Sequence, residues 1–338
     1  MKKMYITYLN VFAALSVVLL HNNGIVHRHP TGRTWYSAIF IETLFYCAVP
    51  LFLMITGATL IDYKERYSTK VFFKKRIEKA FIPFLFWSLI GILYTWLKNK
   101  SSELISANFI YLLSNIFNTK YITIYWFFPA LFAVYLCIPI LSEINNKMKT
   151  FKYMIIVGFI FVSVLPFVCD LLSVEYNYEL IPKLVYGYII YVILGYYIDN
   201  KEIIKKYRII IYLLGIFGFL SNFIGTAFLT EQGGDFYPLF RGAFNWPSIL
   251  QSTAIFTFFK YASLIKDKQI NNMISWFARK TFGIYLIHIY FVNELPNILG
   301  VNIYSLIWRV FGALFIFILC ALITDLLQRM PVVKKIIP

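Results

Sequence analysis

The sequence predicts an all-α fold: a polytopic helical membrane bundle of about ten transmembrane helices with both termini cytoplasmic. Three observations predict it. Hydrophobic residues make up 60% of the 338 and charged residues only 14%, whereas soluble domains hold about 45–50% and 25%. Apolar stretches near the roughly 20 residues that cross a bilayer recur from end to end. Basic residues gather in alternate connections, with 24 of the 32 Lys and Arg there. That asymmetry marks those connections as cytoplasmic and fits ten crossings, whereas nine or eleven would scramble it.

The first segment, about 5–24, follows Lys2 and Lys3 as a signal peptide would. The continuation His21-Asn22-Asn23-Gly24 offers no small-x-small cleavage site, so the segment is expected to persist as a helix. The second and third, about 37–61 and 80–97, flank the basic run Lys64 to Lys79. The outer connection 98–122 contains Ala107 to Leu113, too short to span and better suited to an interfacial or re-entrant helix. Segments 123–143 and 153–172 flank Lys147 to Lys152, and segments 182–198 and 208–229 flank Lys201 to Arg208. The connection 230–245 mixes turn formers with aromatics and suits either an outward pocket wall or a plain hairpin. Segments 246–265 and 277–298 flank Lys260 to Lys280, and 303–324 precedes Arg329 to Lys335.

The outer connections carry Asp170, Glu175, Glu179, Glu231, Asp235 and Glu294. None of the connections is long enough for a soluble domain, so residues 1–338 read as a single integral-membrane domain. The net charge of +16 belongs to the membrane-facing loops, which argues for a lipid bilayer partner and against nucleic acid. Cys47, Cys137, Cys169 and Cys320 lie mostly inside apolar segments. They read as buried thiols rather than a disulfide framework, and no metal site is expected.

Candidate functional residues are the polar groups that hydrocarbon makes costly. His21 stands at the far end of the first apolar segment, and an intramembrane ionisable group is turned toward a partner or a polar cavity. Asn10 lies eleven residues earlier, three helical turns on and only about 20° round, so both share one face about 16 Å apart. The alternative is two polar residues joining helices. Thr281, Tyr285 and His288 form a second stripe at i, i+4, i+7 spacing. For His288, a structural hydrogen bond competes with a catalytic or substrate role. Glu42 and Arg309 fall near the outer ends of the second and tenth segments and are expected to pair beside an outer pocket, unless each reaches the headgroups. Lys74, Lys75, Arg76 and Lys79 pack four charges into six positions beside a helix start, a density suited to phosphate, although the inside-positive bias also predicts it.

Four blocks together resemble the acyltransferase-3 family of bacterial polysaccharide O-acyltransferases. They are His21 at the end of the first helix; Ala48-Val49-Pro50-Leu51-Phe52-Leu53-Met54-Ile55-Thr56-Gly57, leading into Phe72-Phe73-Lys74-Lys75-Arg76 and Ile82-Pro83-Phe84; Trp126-Phe127-Phe128-Pro129-Ala130-Leu131; and Phe282-Gly283-Ile284-Tyr285-Leu286-Ile287-His288. The resemblance implies a bacterial inner-membrane enzyme with no permanently bound cofactor. It would take an acyl group, most often acetyl, from cytoplasmic acyl-CoA (acetyl-CoA) to a hydroxyl of a surface glycan. It also implies that His21 is the catalytic candidate, as general base or acyl relay, with the CoA phosphates near Lys74, Lys75, Arg76 and Lys79. The family's acidic and arginine positions early in the first helix are Thr7 and Asn10 here, and its Arg-x-x-Arg becomes Arg76-Ile77-Glu78-Lys79. The competing reading is an exporter of a surface polysaccharide or its lipid-linked precursor. A homo-oligomer is compatible with the sequence and not specified by it.

Overall fold

Each expected apolar segment contains a helix in the computed structural model, which describes residues 3–28, 32–99, 108–233, 236–262, 267–331 and 333–338. No strand occurs among the described residues. Helix α1 (Met4–Asn22) closes when the Asn23 amide donates back to the Leu19 carbonyl at 3.0 Å. The segment expected over 37–61 is two helices, α2 (Gly32–Phe45) and α3 (Ala48–Leu60), meeting at Tyr46 and Cys47. Pro50 explains the break. It has no amide hydrogen for a carbonyl four residues back, but it fits the first turn of a new helix.

The basic run forms α4 (Thr69–Arg76), which continues through a π turn (Ile77–Phe81) into α5 (Ile82–Asn99). Pro83 lies just downstream, and a second π turn (Phe159–Val164) likewise precedes Pro166, between α8 (Met148–Gly158) and α9 (Leu165–Leu171). A proline that cannot complete the ladder loosens the turn before it. The short outer helix is α6 (Phe109–Phe117), with Asn108 Oδ1 capping the Tyr111 amide at 2.8 Å. Ala107 lies outside the described residues. The remaining helices are α7 (Phe127–Ser142), α10 (Ile189–Asn200), α11 (Lys205–Gly233), α12 (Trp246–Tyr261), α13 (Lys268–Ala278), α14 (Thr281–Leu299) and α15 (Ala313–Arg329), the last entered through a π turn (Trp308–Gly312).

Among the described residues, seven helical stretches are long and apolar enough to cross a membrane. The other three expected segments hold α10, α12 and α14. Helix α10 departs most from expectation. It begins at Ile189 rather than near 182, and its 12 residues rise about 18 Å, well short of a bilayer core of about 30 Å. Ten of the 12 are buried, enclosed by α3, α7, α8 and α12. A helix sheltered by protein is exempt from the length rule that lipid imposes.

Lateral packing is set by glycine. A Cβ on Gly195 of α10 would lie 2.0 Å from the Met54 carbonyl oxygen, and one on Gly57 of α3 would lie 1.9 Å from that of Val192. The two backbones therefore touch, as small residues allow between membrane helices. Leu213, Phe217, Leu220 and Ile224 on α11 and Leu89, Leu93 and Leu97 on α5 are exposed. Such a surface suits lipid and would be a liability in water.

Polar contacts sort the helix ends into two groups. At one end Asp199 accepts from Lys3 at 2.7 Å and Tyr5 at 2.5 Å, Asp62 accepts from Tyr196 at 2.9 Å, and Lys280 pairs with Asp325 at 2.8 Å. At the other, Tyr36 bonds Glu231, Arg241 pairs with Glu42, and Lys98 pairs with Glu294 at 2.5 Å. Each tie joins ends that ten crossings would put on one side, and the basic connections share the end that holds Lys3.

Gly195→Ala is expected to force α3 and α10 apart, an overpacking cost of about 1–3 kcal/mol. This would read as a lower melting temperature of the detergent-solubilised protein. Gly233→Ala, with no neighbour within 4 Å, is the control and should leave the melting temperature unchanged.

Candidate active site

Two of the sequence-predicted stripes face each other. Asn10 Nδ2 donates to Thr281 Oγ1 at 3.0 Å, and the His21 and His288 rings lie 5.2 Å apart between centroids. Helices α1 and α14 thus meet at two depths, through a hydrogen bond at Asn10 and a ring contact at His21. Tyr285, between them on α14, donates its hydroxyl to the Ile124 carbonyl at 2.5 Å.

His288 is fully buried. Its Nδ1 lies 3.0 Å from the Ile284 carbonyl oxygen and 2.8 Å from that of Tyr285. Carbonyl oxygens only accept, so Nδ1 carries the hydrogen and Nε2 of the neutral ring keeps its lone pair. That Nε2 has no hydrogen-bond partner among the described residues. The neighbouring His21 ring is partly exposed, and it helps to line a cavity of about 550 Å³ together with Tyr46, Trp126, Tyr188, Arg241 and Tyr285. A second cavity of about 280 Å³ extends toward the basic end past Asn10, Thr56 and Thr281 to Arg76 and Lys79. The two share Val17, Val49, Phe127 and Tyr285 as walls. The two cavities adjoin across these four residues, one on the side of the basic cluster and the other on the side of the His21 imidazole.

The basic cluster divides. Arg76 and Lys79 reach the inner cavity, and the Arg76 guanidinium lies 5.4 Å from the Tyr135 ring centroid. Lys75 instead sits over the Tyr67 ring at 3.8 Å, and Lys74 lies 3.9 Å from Glu78 on the exposed side of α4.

The expected pairing of Glu42 with Arg309 does not form. Glu42 pairs with Arg241, from the connection that sequence left as pocket wall or hairpin. That connection does line the outer cavity, through Arg241, Ala243 and Phe244; Asp235 lies outside the described residues. Arg309 is 1% exposed and donates to Asn23 Oδ1 at 2.9 Å and Ser37 Oγ at 2.5 Å. Its π turn supplies carbonyl acceptors at Trp308 and Arg309 for Asn22 Nδ2, at 2.8 and 3.3 Å. Asn23 Nδ2 donates to the Ala38 carbonyl at 2.7 Å. The two asparagines directly after His21 therefore clamp the end of α1 to α2 and to the turn before α15. Arg309 braces that clamp and does not line the cavity.

Residues 4–325 match the family model of the acyltransferase domain, acyltransferase-3 type. The chain belongs to the acyltransferase-3 family. No curated protein and no solved structure matches it significantly. All four of the blocks that resemble this family converge on the two cavities. His21 sits at their outer end, α3 lines them with Val49, Phe52 and Thr56, α7 and the turn before it add Trp126, Phe127 and Leu131, and α14 adds Phe282 and Tyr285. Thr7 is buried, and Asn10 spends its amide on Thr281. Among the described residues no group of His, Cys, Asp or Glu is arranged to hold a metal ion, and all four cysteines are free.

Sequence reasoning passed over Asn22, Asn23 and Arg241. For Arg241 a signal existed, since it is one of only eight basic residues outside the cytoplasmic set, and a charge kept against that bias is there for a reason.

Asn23→Ala should strip a partner from a buried guanidinium, costing about 1–3 kcal/mol. A thermal melt of the solubilised protein would show the loss. Asn23→Asp, which keeps an acceptor for Arg309, should recover part of it.

Proposed function

We propose that this acyltransferase moves an acyl group, most often acetyl, from acyl-CoA on the cytoplasmic side to a hydroxyl of a surface glycan, in a bacterial inner membrane with both termini cytoplasmic. The observation that carries the reading is the shared wall between the inner cavity, which Arg76 and Lys79 reach, and the outer cavity, which His21 lines. Arg76 and Lys79 hold the phosphates of CoA at the basic end, with lysine supplying charge but not the bidentate fork of arginine. The narrow pantetheine arm follows the inner cavity past Asn10, Thr281 and Tyr285, so that the thioester meets His21. The cation cluster keeps the bulky nucleotide at the inner face.

The His21 and His288 rings lie 5.2 Å apart between centroids, and the neutral His21 ring keeps one nitrogen unprotonated for the outer cavity. That nitrogen takes the proton of the acceptor hydroxyl. The hydroxyl oxygen bonds to the thioester carbonyl carbon, the C–S bond breaks, and the departing thiolate takes the proton from the imidazolium. The products are the glycan ester and free CoA. A partly exposed imidazole backed by a buried one suits a general base, typically worth about 10²–10⁴ in rate. Membership of the acyltransferase family supports transfer over export.

His21→Ala in proteoliposomes given acetyl-CoA and native glycan should lower transfer by about 10²–10⁴ with the protein still monodisperse; a wild-type rate would refute the role. His288→Phe should lower kcat with the KM for acetyl-CoA unchanged. Arg76→Gln should do the reverse, raising that KM with little change in kcat. The same assay with dephospho-CoA thioester tests whether the phosphates are read.

A further inference from the structure

The outer cavity carries more apparatus than the acyl step needs. On one wall the Trp126 indole is 41% exposed, with the Tyr188 ring 5.9 Å away at 34° and Phe244 4.8 Å beyond Tyr188. A large ring backed by two others yet left uncovered presents a flat apolar face to whatever enters. The same cavity is lined by Glu42, 4% exposed, which accepts from Arg241 Nη2. The guanidinium lies 4.8 Å from the Tyr46 ring centroid and 5.3 Å from that of Phe236, which hold it in place. The bond engages one carboxylate oxygen and one guanidinium nitrogen. The pair therefore sets acceptor and donor side by side on the cavity wall, with no net charge.

We propose that the acceptor is an electrically neutral pyranose, laid with its C–H face on Trp126 and gripped through two neighbouring hydroxyls by Glu42 and Arg241. The inference rests on reading this cavity as the acceptor side of an acyltransferase. A pyranose has an apolar C–H face and a rim of hydroxyls, each of which both donates and accepts. One hydroxyl donates to Glu42 and its neighbour accepts from Arg241. A charged sugar upsets this balance. A uronate carboxylate that took Arg241 would leave the 4% exposed Glu42 carboxylate without its partner and beside a second anion, and a free amino sugar that took Glu42 would do the same to the Arg241 cation, in a site that water screens poorly. Discrimination comes from rejecting charge, while stacking supplies the grip.

The test uses the full solubilised chain, with no acyl donor, in saturation-transfer NMR titrations. Probes are methyl glycosides of glucose, rhamnose and N-acetylglucosamine, set against methyl glucuronide and methyl glucosaminide. Binding of at least one neutral glycoside at about tenfold or more over both charged ones is expected, with saturation strongest at C–H protons and lost about tenfold in Trp126→Ala. Glu42→Gln should swing the preference toward the glucuronide and Arg241→Gln toward the glucosaminide. Charged glycosides bound as well as neutral ones, no neutral glycoside bound, or an unchanged Trp126→Ala would each overturn the proposal. Trp126 is half-exposed, so its variant keeps the test open should a charge variant fail to fold. If the binding pattern holds while glycan is never acylated, the acyl-transfer reading falls alone; if acylation proceeds without the pattern, only this inference falls.

Discussion

The contact of α3 with α10 through Gly57 and Gly195 is the constraint from which the rest of the site follows. Backbone meets backbone there, with no room for a methyl group on either side. Membrane helices have no hydrophobic effect pressing them together, so close van der Waals contact of this kind does that work. It pins α3, and α3 supplies walls to both cavities through Val49, Phe52 and Thr56. Helix α1 packs in turn on α3 and α14. The depth of His21 and its distance from His288 are thus inherited from a seam between two other helices.

Charge within the bundle is handled by two different means. Glu42 and Arg241 neutralise each other at the cavity wall. Arg309, equally buried, is met by an asparagine oxygen and a serine hydroxyl. Ion pairing needs only proximity, while amide and hydroxyl acceptors must be aimed at each N–H. That directional demand suits a brace, because it holds the turn before α15 and the end of α1 in one arrangement. It also explains why the residues just after His21 are asparagines, whose side chains donate and accept at once.

What could be read from sequence followed periodicity and solvation. The ten apolar segments, the stripe of Asn10 and His21, and that of Thr281, Tyr285 and His288 all depend on local spacing, and the structure brings the two stripes together. Pairings across the bundle depend on which helices are neighbours, and no local pattern encodes that. Glu42 and Arg309 were expected to meet, yet Arg241 from a loop takes Glu42 and Arg309 turns to Asn23 and Ser37. Length reasoning failed at α10 for a related cause: the rule of about 20 residues assumes lipid contact, and α10 has almost none. The π turns before Pro83 and Pro166 were legible only as prolines. The cost of a missing amide hydrogen is visible in sequence, but the helix chooses between a break, as at Pro50, and a bulge according to its packing.

The shared wall of the two cavities has a consequence for the membrane itself. Two cavities that share a wall inside a bundle approach the geometry of a channel, and the cell's ion gradients would drain through any continuous wet path. Val17, Val49 and Phe127 furnish that wall with apolar side chains, and the Tyr285 hydroxyl beside them is already spent on the Ile124 carbonyl. An apolar constriction excludes ions by refusing water. The same four residues that form the shared wall therefore set a mostly apolar barrier in the way of any hydrated ion.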